Sequence, residues 1–159
     1  MANVFDVAEY VLSKLSKIPT MKLQKLVYYC QAWSLAWDGV PLFNEEFEAW
    51  ANGPVCPELY AAHKRVFSVE HGYFDEFLTT DVEFPPQSID TMNIVIEDYG
   101  NKEPWWLSDL THMEDPWRLA RAGLSMGEPS KNLISKESMQ FYYEGLINGE
   151  AHPVKTAEL

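Results

Sequence analysis

Four histidines, two cysteines and a few serines are the side chains through which this sequence could do chemistry. His63, His71, His112 and His152, taken with Asp75, Glu114 or Asp115, are donors of the kind a divalent metal takes. Their arrangement argues against a centre: there is no His-Glu-x-x-His helix, no close pair of histidines and no cysteine cluster. Cys30 and Cys56 lie among apolar neighbours, where a buried thiol is inert, and either would act as a nucleophile only with a base beside it in space. Ser34, Ser108 and Ser125 lack the Gly-x-Ser-x-Gly turn, and no Gly-rich phosphate cradle occurs. The expected protein is not an enzyme and takes no metal or other cofactor. A small metal-dependent hydrolase is the catalytic alternative.

What remains is surface for binding. The 159 residues suit a single core, and with 47% hydrophobic and 14% aromatic residues there is apolar material for that core and for an interface besides. The net charge of −12 argues against direct nucleic-acid binding, which needs clustered Lys and Arg to neutralise phosphates. The excess is local. From Ser68 to Asp115 twelve carboxylates face one base, Lys102, a net −11 that reads either as a solvated face or as a steering surface for a basic partner. The acidic N-terminus is unlike a secretory leader, no run approaches the ~20 apolar residues of a membrane span, and the two cysteines form no framework, so a soluble, reduced, cytoplasmic protein is expected.

The elements that would position a binding surface are mainly helical. Val4, Val7, Ala8, Val11, Leu12 and Leu15 recur at three-and-four spacing behind Asn3 as N-cap, which predicts a helix near 4–17 with Asp6, Glu9 and Lys14 on its outer face. A second helix runs from Thr20 to Gly39 with a core stripe of Leu23, Leu26, Val27, Cys30, Trp33 and Trp37. Tyr28, Tyr29 and Leu35 add apolar surface on its other sides, which makes it central. Alternation predicts strands at 47–50 and 73–79. Between the first of these and a helix near 57–67 stands a stiff corner, Asn52, Gly53, Pro54 and Pro57: Gly53 takes positive φ, Pro54 restricts it, and Pro57 suits a first helical turn. Further helices are expected near 88–99, behind Pro104, behind Pro116 and from Ser135 to Asn148, where Ile134 and Met139 form a staple. The fold class is therefore mainly α, a compact single domain over 1–149 with a small two- or three-stranded β element and a flexible tail at 150–159.

Three segments in order, "MKLQKLVYYCQAW…PLF…FEAWANGPVCPELY", "LSDLTHMEDPWRLAR" and "ISKESMQFYY", resemble the Panacea domain, the SocA-type antitoxin family that includes phage-associated proteins. The resemblance covers roughly residues 4–147. It implies a compact helical fold and an antitoxin that neutralises a co-encoded toxin, one acting on translation or tRNA, by direct protein contact. Some relatives instead deliver a toxin to a cytosolic protease as adaptors, which is the alternative reading. Many carry an added DNA-binding segment, for which this sequence has no room. Together with the surplus of aromatics and acids, the resemblance nominates Tyr29, Trp50, Tyr60, His63, Glu70, Asp75, Glu76, Asp81 and Glu83 as toxin-binding residues. The oligomeric state stays open.

Overall fold

The computed structural model describes residues 1–149; the expected tail at 150–159, and His152 with it, lies outside them. Helix α1 spans Val4–Lys14, and its start is fixed as the sequence suggests: the Asn3 side chain accepts from the Asp6 N–H while Asp6 accepts from the Asn3 N–H, a reciprocal cap. Strand β1 (Ile18–Pro19) leads into α2 (Thr20–Trp33), which lies at the centre of the core with Leu23, Leu26, Val27, Tyr28, Tyr29 and Cys30 all buried. The α-helix does not run on to Gly39. It widens after Trp33 into one π-helical turn, Ser34–Asp38, closed by Gly39 in the left-handed region at φ 74°. Trp37 is thereby carried out of the expected core stripe: it is 42% exposed and stacks on Trp33 at 4.6 Å.

Strands β2 (Phe47–Trp50) and β3 (Gly53–Val55) form an antiparallel hairpin, with Trp50 opposite Gly53 across a turn of Ala51 and Asn52. The corner is therefore a hairpin followed by a helix, where the sequence suggested a break. Gly53 itself pairs, at φ 124°, and Pro54 is tolerated because β3 is the edge of a sheet ordered β3-β2-β5. Helix α3 (Pro57–His63) stops four residues short of expectation, because Lys64 turns to an extended conformation and Arg65 takes a positive φ of 73°. Strand β4 (Ser68–Val69) pairs with β1. Helices α4 (Pro86–Tyr99), α5 (Pro104–His112) and α6 (Asp115–Ala120) follow, then β5 (Leu133–Ile134) and α7 (Lys136–Ile147), capped by Ser135 with Ile134 and Met139 buried beside it. The mainly α class holds, with its β element divided between a two-stranded sheet, β1-β4, and a three-stranded one, β3-β2-β5.

No strand forms at 73–79; the segment is turns and a short 3₁₀ helix, Asp75–Phe77. The reason lies on α1. Asp6 and Glu9 are buried, not on an outer face, and their carboxylates take the backbone donors a strand ladder would have used: Glu9 accepts from Gly72 and Phe74 at 2.8 and 2.9 Å, and Asp6 from Thr79 at 3.0 Å. Phe74 is buried against Phe5, and Phe77 stacks on Phe5 at 4.6 Å. The acidic segment is thus pinned to α1 by two acids. Glu9→Ala strands two backbone donors and is expected to cost about 2 kcal/mol in urea unfolding, with faster proteolysis near Tyr73; a variant as stable and protease-resistant as the parent would show that the loop holds itself.

Candidate functional site

The residues singled out by sequence divide into three places. Trp50, Tyr60 and His63 come together around a pocket of ≈ 460 Å³ between the start of α2, the β2-β3 hairpin, α3 and the segment at 129–131. The Trp50 and Tyr60 rings meet edge to face at 5.0 Å, and Tyr60 is 38% exposed, so this pair forms a partly open aromatic rim. Glu70, Asp75, Glu76, Asp81 and Glu83 are all exposed, and none of them lines the pocket. Tyr29 belongs to neither group. It is fully buried in the core, with its hydroxyl donating to Glu114 at 2.7 Å and its ring stacked on Tyr99 at 4.3 Å, so its side chain is out of a partner's reach.

The pocket's floor holds a residue the sequence reading did not single out. Lys25, 1% exposed, lies on α2 beneath the hairpin, and its ammonium makes no hydrogen bond or ion pair among the described residues. Gly53 makes room for it: a Cβ there would stand 2.6 Å from Lys25 Cε and 3.3 Å from Nζ. Burial pushes the Lys25 pKa down to about 7. Its neighbour Gln24 is spent on structure. The Gln24 carbonyl accepts from the Cys56 N–H at 2.9 Å, and its amide donates to the Cys56 carbonyl at 3.3 Å and to His63 Nε2 at 3.0 Å. His63 therefore accepts at Nε2 and is held neutral. Burial lowers its pKa first, and the charge of Lys25 lowers it further.

Residues from 108 to 121 fasten the hairpin over that lysine. Ser108 Oγ donates to the Asn52 carbonyl at 2.8 Å, Trp117 Nε1 to the Trp50 carbonyl at 2.8 Å, and Arg121 to the Ala49 carbonyl at 3.0 Å. Thr111 Oγ1 stands 3.1 Å from where a Gly53 Cβ would be, and His112 stacks on Trp117 at 4.0 Å with its buried Nε2 unpartnered. The Gln-Lys pair, the Ala-Trp and Gly-Pro strands and the Thr-His…Pro-Trp segment are thus one contact network around Lys25. The only hint in the sequence is that a helix apolar nearly all round leaves little solvent face for the polar pair Gln24-Lys25, and it does not say which of its polar residues is buried.

No group of three His, Cys, Asp or Glu side chains able to hold a metal converges among the described residues. Burial raises the pKa of both thiols, Cys56 to about 12, which leaves them protonated at neutral pH. Ser34 and Ser108 donate their hydroxyl protons to backbone carbonyls.

The network coincides with a family match: residues 23–118, more than half of the chain, match the family described as antitoxin SocA-like, Panacea domain. The chain belongs to this family. The matched span runs from Leu23 in α2 to Arg118 in α6 and so contains the Lys25 floor, the hairpin and the clamping bonds from Ser108 and Trp117, while Arg121 and the Panacea domain's remaining wall at 129–131 fall outside the match. No curated protein and no solved structure matches the chain. No helix among the described residues is long and apolar enough to cross a membrane.

Proposed function

We propose that this Panacea domain is the antitoxin of a toxin-antitoxin pair and neutralises a protein toxin encoded beside it by direct contact. The observation that carries the reading is the family match over the surface where Trp50 and Tyr60 form a half-open aromatic rim. Large, rigid aromatics at a rim over an apolar pocket are the side chains on which interface energy concentrates. The exposed acids at 70–83 supply the second element, a long-range field for a basic partner. A toxin that acts on RNA or on translation presents Lys and Arg for phosphate, and an acidic strip competes for those same side chains.

Co-expression with the protein of the adjacent reading frame tests the contact: the parent antitoxin restores growth, and Trp50→Ala with Tyr60→Ala loses rescue while keeping its circular dichroism and melting temperature. Rescue by that folded double variant would move the contact to another surface. The acidic strip is tested by binding kinetics across salt concentrations. Neutralising Glu70, Asp75, Glu76, Asp81 and Glu83 together is expected to slow association by ~10-fold or more at low salt with little change in dissociation, and to flatten the salt dependence. Equal salt slopes for the two proteins would confine the strip to solubility.

A further inference from the structure

The pocket over Lys25 inverts the sign of the molecule around it. In a chain of net charge −12, its lining contains two lysines, Lys25 and Lys131, and no carboxylate. Its walls are otherwise mostly apolar: Met21, Val55, Ala51 and the Trp50 and Tyr60 rings. The lysine at the floor has no protein partner, although an uncompensated ammonium at this depth is costly and the neighbouring polar residue, Gln24, has every amide group engaged. A lysine side chain buried in the lining of a mostly apolar cavity, with the amide of the adjacent Gln24 committed to Cys56 and His63, is the arrangement of a ligand site for an anionic oxygen.

We propose that this pocket is a binding site for a small aromatic carboxylate, its carboxylate on the Lys25 ammonium and its ring packed against the wall that Trp50 and Tyr60 form together. A single buried ammonium matches a monoanion; a phosphate dianion calls for more donors, and the lining has no arginine and only the exposed Lys131 as a second cation. A flat ring satisfies the edge-to-face aromatic wall, and ≈ 460 Å³ lies within the ordinary range of small-ligand pockets. Lys131 at the segment 129–131 adds a second positive charge to the lining. Isolated protein suffices for the test, so its result is separate from that of the toxin contact.

The probes are indole-3-carboxylate, the corresponding carboxamide as a neutral isostere, and inorganic phosphate, each titrated by calorimetry at pH 6.5. Indole-3-carboxylate is expected to bind with a Kd on the order of 100 μM or tighter, by the affinity a ligand of this size reaches per atom, and the carboxamide and phosphate at least ~10-fold more weakly. Lys25→Met, which replaces the ammonium by an apolar side chain of similar length, is expected to fold with an unchanged or higher melting temperature and to lose the preference for carboxylate over carboxamide. In the parent protein, labelled with ¹⁵N at lysine, the Lys25 Nζ resonance is expected to shift toward the protonated form on addition of the carboxylate and not of the carboxamide; this decides the matter even where Lys25→Met fails to fold. Absence of saturable binding below ~1 mM, equal affinity for acid and amide, or a Lys25 signal indifferent to the ligand each overturns the proposal.

Discussion

Gly53→Ala is expected to destabilise the protein by about 3 kcal/mol, a large cost for one methyl group, and Gly53→Val by more. Two separate effects add at this position. The backbone is at φ 124°, where any side chain is strained, and the new Cβ would stand 2.6 Å from Lys25 Cε and 3.1 Å from Thr111 Oγ1. They are separable by a double-mutant cycle with Lys25→Ala. Shortening the lysine removes the clash and leaves the strain, so the two substitutions should be less harmful together than their sum, with a coupling of about 1 kcal/mol. Urea unfolding of the four proteins reads this directly. Additive costs would place the whole effect in the backbone; a Gly53→Ala protein as stable as the parent would remove the close approach of hairpin and lysine on which the pocket's floor depends. Function should follow the same order, because Trp50 pairs with Gly53 across the turn and any opening of the hairpin moves the rim.

What could be read from sequence and what could not differ by the range of the forces involved. The cap at Asn3, the left-handed Gly39, the positive φ of Gly53 and the Ser135 start of α7 are local: each depends on a residue's own backbone preference and a partner within three or four positions. The strand expected at 73–79 failed for a non-local reason, since its backbone donors are taken by Asp6 and Glu9, more than sixty residues earlier. Those two acids looked solvent-facing because helical periodicity reports which side is apolar and says nothing of a loop that will fold down onto the other side. Of the candidate site, Trp50, Tyr60 and His63 were legible as aromatic and polar residues near a rigid corner, and the structure gathers them. Lys25 was not, although it is the pocket's only buried charge: a lysine is assigned to solvent by default, and its burial follows from the packing of β3 and α5 against α2. Tyr29 and Glu114 were placed apart, one as a toxin contact and the other as a metal donor, and they bond to each other inside the core.

That bond gives the fold one part of its pH dependence. Glu114, 3% exposed, accepts on one carboxylate oxygen from Tyr29 and from Tyr143, each at 2.7 Å, and so ties α2, α6 and α7 together at a point no water reaches. Burial pushes its pKa up to about 7, and the two phenol hydrogen bonds oppose that rise only in part. The unfolded chain releases this proton near pH 4.5, so between 4.5 and about 7 the native state holds a proton that the unfolded state has lost, and stability falls as pH rises through that window. At about 1.4 kcal/mol per pH unit, the loss is on the order of 3 kcal/mol across it. His63 and His112, with pKa values lowered by burial, give the opposite slope up to their ordinary 6.5, and Lys25, lowered to about 7, gives it from there toward 10.5, so together they hide the effect in the parent protein alone. Glu114→Gln exposes it, because the amide keeps an oxygen for both phenols, cannot titrate, and leaves the histidine and lysine contributions to cancel in the difference. Unfolding free energies of the two proteins should lie close together at pH 5 and diverge in favour of Glu114→Gln toward pH 8. Glu114→Ala leaves two buried hydroxyls without their acceptor and is expected to lose about 3 kcal/mol or more at every pH. Parallel curves for the parent and Glu114→Gln would mean that the carboxylate stays ionised throughout and is stabilised by its phenols as fully as it would be by water.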